Sequence, residues 1–169
     1  MRERATPSLM AKALGWLAQR EYSSSELKTR LEHWLETCPS AGGPSEVAQV
    51  LQALRDKGYL SDERFVQSRL RLRSARFGNR RIEQELRVHG ASLDAPTRQH
   101  LQDTEYERAW QVWQQRFGRP QATQPASVSE RARQQRFLAA RGFTAQTIAR
   151  VIKNSTTAAQ EPDGSAQPD

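Results

Sequence analysis

The chain has 169 residues, one domain's worth by size, with 26 Lys and Arg against 19 Asp and Glu, a net charge of +7 and a pI near 10.3. Mean hydropathy is −0.84 and the apolar fraction is 36%, below the ~45–50% of ordinary globular chains. No apolar run approaches the ~18 residues that span a bilayer and no secretory stretch follows Met1-Arg2-Glu3-Arg4, which excludes a membrane protein and one thick core, and predicts a thin helical body in the cytoplasm.

Helix signals dominate and strand signals are nearly absent. After a flexible segment 1–7, Leu9, Met10, Ala13, Leu14, Trp16 and Leu17 make one apolar face, predicting a helix over 8–19. Ser23-x-x-Glu26 reads as a capping box opening a helix over 24–36 with Leu27, Leu31, Trp34 and Leu35 inward. Beyond a loop at 37–44, Ser45 is the expected N-cap of a helix over 45–57, carried by Val47, Val50, Leu51 and Leu54. Ser61 opens a fourth over 61–76, and a fifth covers 79–89. The sixth, 94–102, is poor in apolar residues and must hold Pro96 in its first turn.

Thr104-x-x-Glu107, a second capping box, opens 105–117 with Tyr106, Ala109, Trp110, Trp113 and Phe117 on one face. A proline-rich loop at 118–127 leads to a third box, Ser127-x-x-Glu130, and a helix over 128–141. Thr144 opens the last, 144–153, and the acidic tail 154–169 lacks periodicity and reads as disordered.

Three helix endings share a pattern: Leu54-x₃-Gly58, Leu86-x₃-Gly90 and Leu138-x₃-Gly142, each glycine placed to cap a helix in the left-handed conformation. Arg20-Glu21-Tyr22-Ser23, Arg76-Phe77-Gly78-Asn79 and Arg116-Phe117-Gly118-Arg119 mark similar junctions at uneven spacing. They divide the helices into three units, 8–58, 59–102 and 103–153. The fold class is all-α: an elongated array of three tandem three-helix repeats, helix-turn-helix-like, stacked because each buries little surface alone.

Of the 26 cations 22 are arginine, and Arg64, Arg69, Arg71, Arg73, Arg76, Arg80, Arg81 and Arg87 face only Glu83 and Glu85 over 64–87. That is +6 in 24 residues. At ~100° per residue, Leu72, Arg69 and Arg76 should project within about 40° of Phe65, with Arg64 and Arg71 opposite. Arg80 and Arg87 should point away from an inner face of Ile82, Leu86 and His89. So dense a cluster of like charge points to an anionic partner, and the guanidinium fork suits phosphate or carboxylate. These eight arginines are the candidate partner- or DNA-binding residues.

Reaction chemistry is not indicated. There is no glycine-rich phosphate loop, no Cys/His metal spacing and no nucleophile elbow, so neither a metal nor a cofactor is expected. Cys38 reads as an ordinary thiol, unable to form an intramolecular disulfide or a zinc finger. His33, His89 and His100 are scattered, Glu83 and Glu85 face different ways, and the tryptophans and phenylalanines read as packing anchors. No small-molecule substrate or membrane contact is expected.

Gly58-Tyr59-Leu60-Ser61-Asp62-Glu63-Arg64-Phe65, followed by Arg73-x-x-Arg76-Phe77-Gly78-x-x-Arg81-Ile82-x-x-Glu85-Leu86-x₃-Gly90, resembles the RecX family of bacterial recombinase regulators. The likeness extends to Ala13-Leu14-x-Trp16-Leu17-Ala18-x-Arg20-Glu21-Tyr22-Ser23-x-x-Glu26-Leu27 at one end and Phe137-Leu138-x-x-Arg141-Gly142-Phe143 with Ile148-x₃-Ile152 at the other, covering about 9–153. It implies three tandem three-helix repeats, with Gly58, Tyr59, Leu60, Asp62, Phe65, Gly78, Ile82, Leu86 and Gly90 mainly structural. It also implies binding in the groove of the RecA filament on single-stranded DNA, inhibiting its ATPase, strand exchange and extension. The sequence departs from the family pattern in its apolar-poor sixth helix, its proline-rich connection and its acidic tail. A free-standing helix-turn-helix-like protein that binds nucleic acid directly is the alternative.

Overall fold

The computed structural model describes residues 7–118 and 127–158. Within them lie nine α-helices and no strand: α1 (Leu9–Leu17), α2 (Ser24–Thr37), α3 (Pro44–Asp56), α4 (Asp62–Arg73), α5 (Asn79–Val88), α6 (Ala95–Asp103), α7 (Glu105–Phe117), α8 (Val128–Ala140) and α9 (Ala145–Ala158). Residues 1–6 of the starting segment, most of the proline-rich loop and the tail beyond 158 lie outside the described residues. The chain forms two compact units: residues up to 71 with 85–93, and residues 72–84 with 94 onward.

The first unit packs α1, α2 and α3 around Leu9, Ala13, Leu27, Leu31, Leu35, Val47, Leu51 and Leu54, with Tyr22 and Leu60 from the connections. Each such leucine contributes ~1.5–3 kcal/mol over its exposed state. α1 starts because Ser8 Oγ accepts from the Ala11 N–H, and α2 because Ser23 Oγ accepts from the Glu26 N–H. Asp62, itself in the first turn of α4, accepts from the Ser24 N–H (2.6 Å) and hydroxyl (2.9 Å).

The second unit has its core in α7, α8 and α9: Ala109, Val112, Leu138, Phe143, Ile148, Val151 and Ile152. Ser127 and Glu130 form the expected reciprocal capping box of α8. α6 is present although Leu101 is its one buried residue, because Asp94 accepts from the Thr97 N–H and Pro96 occupies the first turn. Within this unit the α4–α5 turn docks on the α8–α9 turn: the Gly78 N–H donates to the Arg141 carbonyl (2.9 Å) and the Arg80 N–H to that of Gly142 (3.1 Å). A Cβ at Gly78 would collide with the Phe143 backbone, so only glycine permits this approach.

The three Leu-x₃-Gly endings share one geometry. Gly58, Gly90 and Gly142 have φ of 71°, 67° and 83°, where a side chain is strained. The N–H of the following residue donates back to the leucine carbonyl each time: Tyr59 to Leu54 (2.8 Å), Ala91 to Leu86 (2.9 Å) and Phe143 to Leu138 (3.3 Å).

Several expectations are corrected. Ser45 does not cap α3; the cap is Gly43, with Pro44 entering the helix at its start. Thr104 forms no capping box, because α6 runs into α7 and leaves it at φ −93°, ψ −1°, where its hydroxyl donates instead to the His100 carbonyl. α4 stops at Arg73, three residues early, so Arg76 leaves the Phe65 face. Leu72 is 67% exposed, since the buried stripe of α4 runs Phe65, Val66, Leu70 and is centred well to one side of it. α9 runs to Ala158, five residues past the expected end of that helix at 153. There Asn154 donates to the Tyr106 hydroxyl (2.7 Å), and Ser155 and Thr156 donate to the Ile152 carbonyl.

Candidate partner-binding site

α4 forms behind Ser61, whose Oγ accepts from the Arg64 N–H (3.2 Å). Its eight-arginine neighbourhood separates into two kinds of side chain. Arg64, Arg69, Arg73 and Arg81 are engaged internally. Arg64 donates through Nε to Glu21 (3.0 Å) and through Nη2 to the Tyr59 carbonyl (2.9 Å). Arg69 lies across Phe65, 5.1 Å from the ring centroid, and pairs with Glu85 at 3.4 Å. In the second unit Arg73 and Arg81 stand 5.6 Å and 4.3 Å from the Phe77 centroid, and Arg81 reaches the Ala140 carbonyl at 3.3 Å. Arg69, Arg73 and Arg81 lay their guanidinium groups on aromatic rings, and Arg64 uses its charge on Glu21.

Arg71, Arg76, Arg80 and Arg87 are exposed. Their guanidinium groups meet no carboxylate or carbonyl among the described residues, so their forks are open to bidentate pairing with an external anion. Arg71 and Arg87 belong to the first unit, Arg76 and Arg80 to the second. Glu83 and Glu85 do face different ways: Glu85 pairs with Arg69, and Glu83 with Arg98 at 3.9 Å.

The motif residues hold the backbone. Leu60, Phe65, Ile82 and Leu86 are buried, whereas Tyr59 is 53% exposed. His89, placed by the sequence on an inner face, is half-buried against the Phe65 edge (5.7 Å between centroids), and its carbonyl accepts from Ser23 Oγ. Its Nδ1 lies 3.8 Å from Glu26, which also takes Arg20 Nη2 at 2.5 Å. Burial raises the Glu26 carboxyl, but the Arg20 hydrogen bond and the charges of Arg20, His89 and Arg69 outweigh it and hold the group below its ordinary value.

A buried polar network in the second unit was invisible to the sequence reading. Glu105, in the first turn of α7, is 3% exposed. It accepts from the Asn79 N–H (3.0 Å), the Thr144 hydroxyl (2.6 Å) and the Thr147 hydroxyl (2.7 Å), so one side chain satisfies the starts of α5 and α9. Arg108, one turn along, donates to the carbonyls of Ser74, Phe77 and Leu101 and to Asn79 Oδ1. Burial lowers its pKa, against the raising effect of Glu105 and Glu107. The partners lie 26 to 42 residues from Glu105, so no local spacing announces them. Among the described residues no group of His, Cys, Asp or Glu is placed to hold a metal ion, and no helix is long and apolar enough to cross a membrane.

The chain is 39% identical over 158 residues to the Regulatory protein RecX of Ralstonia nicotianae, covering 92% of this chain and 93% of that protein. The chain belongs to the RecX family. It is also 42% identical over 148 residues to the Regulatory protein RecX of Leptothrix cholodnii, covering 86% and 88% respectively. Residues 103–152 match the family model of the RecX third three-helix domain. The crystal structure of RecX from Lactobacillus salivarius superposes with a TM-score of 0.67 at 14% identity, over 86% of this chain and 93% of that one. The fold is thus that of RecX, all-α with tandem three-helix repeats, and the family is one of regulatory proteins.

Proposed function

We propose that this chain is a negative modulator of the RecA recombinase that binds in the groove of the RecA filament on single-stranded DNA and inhibits its ATPase, strand exchange and extension. The observation that carries the reading is the set of exposed guanidinium groups, Arg71, Arg76, Arg80 and Arg87, that meet no carboxylate among the described residues, in a member of the RecX family. Exposed forks of this kind attract acidic protein surface or phosphate without any catalytic group. A filament that hydrolyses ATP must change subunit arrangement during its cycle. A ligand that prefers one arrangement shifts the equilibrium by its differential affinity and slows turnover.

The test titrates the purified chain into RecA filaments on single-stranded DNA and follows ATP hydrolysis. R76E/R80E should raise the concentration for half-inhibition by about tenfold or more, a reversal of two interfacial charges, with helicity unchanged. Inhibition unaltered in that variant removes these residues from the interface, and no inhibition by the native chain overturns the reading. Inhibition at substoichiometric amounts indicates action at growing filament ends, and inhibition at one chain per few subunits indicates lining of the groove.

A further inference from the structure

The first unit carries a second cationic surface, apart from the arginine-rich segment. α1 and α2 each present a cation and a tryptophan one turn apart: Lys12 with Trp16, and Arg30 with Trp34. The Lys12 ammonium stands 5.4 Å from the Trp16 centroid and 5.6 Å from that of Trp34. The Arg30 guanidinium stands 4.6 Å from the Trp16 centroid and 5.5 Å from that of Tyr22, and its Nη1 donates to the Tyr22 hydroxyl at 3.1 Å.

Neither cation has a counter-ion among the described residues. The carboxylates of α2 and of its connection to α1 are all engaged elsewhere: Glu21 by Arg64, Glu26 by Arg20, Glu32 by Lys28 and Glu36 by His33. α1 contributes no carboxylate. Both indoles are half-buried and keep an outward portion. Trp113 gives its N–H to Gln134, whereas the N–H groups of Trp16 and Trp34 donate to no described group. Rings hold the two cations in place, so less ordering is lost when an anion arrives, and Arg30 still has Nη2 and Nε to offer.

We propose that this surface binds single-stranded nucleic acid, with Arg30 and Lys12 on neighbouring phosphates and a base laid against the exposed indole surface. Cations interleaved with aromatic rings are what a sequence-tolerant strand requires, since every base has a π-face. An acidic peptide would satisfy the cations but leave the indoles without partners. In a duplex the bases are turned inward and the indoles would be left the same way. This surface is independent of the RecA reading.

The test measures anisotropy of a labelled oligo-dT, its abasic counterpart and a duplex with the full chain in the absence of RecA, so its failure is distinct from failure of RecA inhibition. K12Q/R30Q should weaken oligo-dT binding by about tenfold or more. It should also reduce the slope of log affinity against log salt by ~1.4, about 0.7 for each of two phosphate contacts on a single strand. R30K should weaken binding less, keeping the charge but losing the fork. Both changes lie at the surface, and circular dichroism checks that helicity is kept. Oligo-dT binding within twofold of the native value in K12Q/R30Q overturns the proposal. So does an abasic strand or a duplex that binds as tightly as oligo-dT.

Discussion

The two units secure their helix starts at different depths. In the first, the polar anchors sit near water: Asp62, which takes the Ser24 N–H and hydroxyl, is exposed, and Glu26 keeps 19% of its side chain accessible while pairing with Arg20. In the second, Glu105 is buried and ties α5, α7 and α9 together through Asn79, Thr144 and Thr147. An anchor at the surface can exchange a lost partner for water. A buried one cannot, so each hydrogen bond to Glu105 carries the desolvation cost of both its ends. The second unit's polar core is therefore the more brittle, although its apolar core is of similar kind.

The largest effect expected on that contrast comes from Glu105→Ala. It leaves the Asn79 N–H and two threonine hydroxyls without their acceptor, and Arg108 without its nearest buried counter-charge. The expected loss is about 3–5 kcal/mol in urea denaturation. Asp62→Ala in the first unit should cost only ~1 kcal/mol, the ordinary size of a helix cap. Equal losses would erase the distinction between the units.

A smaller and sharper comparison uses two glycines of like conformation. At Gly58 an added Cβ meets nothing within 4 Å, whereas at Gly142 it would fall 2.5 Å from Arg81 Cβ and 2.7 Å from the Arg81 backbone nitrogen. Gly58→Ala should cost about 1–2 kcal/mol, the left-handed strain alone. Gly142→Ala should exceed it by at least ~1 kcal/mol, because the first turn of α5 must move away. Denaturation midpoints of the two variants decide it.

The smallest effect is in the pH dependence. The folded-state pKa of Glu26 lies below its ordinary 4.5. Its contribution to stability is therefore fully present above that ordinary value and is lost as pH falls through the lowered one. Glu26→Gln should flatten the acid limb of the stability profile below pH 4.5 and leave the neutral region parallel to the native curve. A native-like acid slope in this variant would show that Glu26 does not couple to folding.

Much of the architecture was legible because its determinants are local. Apolar periodicity marked α1, α2, α3 and α7, while the apolar-poor α6 was legible through Pro96 in its first turn and is started by Asp94. The Leu-x₃-Gly endings were legible because a left-handed residue and its returning hydrogen bond span only six positions. The misreadings came where an adjoining element changed the backbone. Thr104 has capping chemistry but sits at the end of α6. Arg76 was assigned a face by extrapolating a helix that ends at Arg73, and Leu72 by its angle to Phe65 alone, whereas the buried stripe of Phe65, Val66 and Leu70 is centred well to one side of it. Of the eight arginines, composition marked the cluster, but nothing local told Arg71, Arg76, Arg80 and Arg87 from the four whose charge is used within the fold.

The order of residues alone determined an all-helical chain with repeated glycine-capped endings and a concentration of arginine at 64–87, since helix period, caps and net charge depend on neighbours within a turn or two. Tertiary structure alone decided that Glu105 would be buried, which guanidinium groups would find partners, and that Lys12 and Arg30 would lie on aromatic rings with no counter-ion among the described residues. Those outcomes depend on residues brought together from distant parts of the chain, where charge and hydrogen-bonding capacity are either satisfied inside the fold or left for a partner.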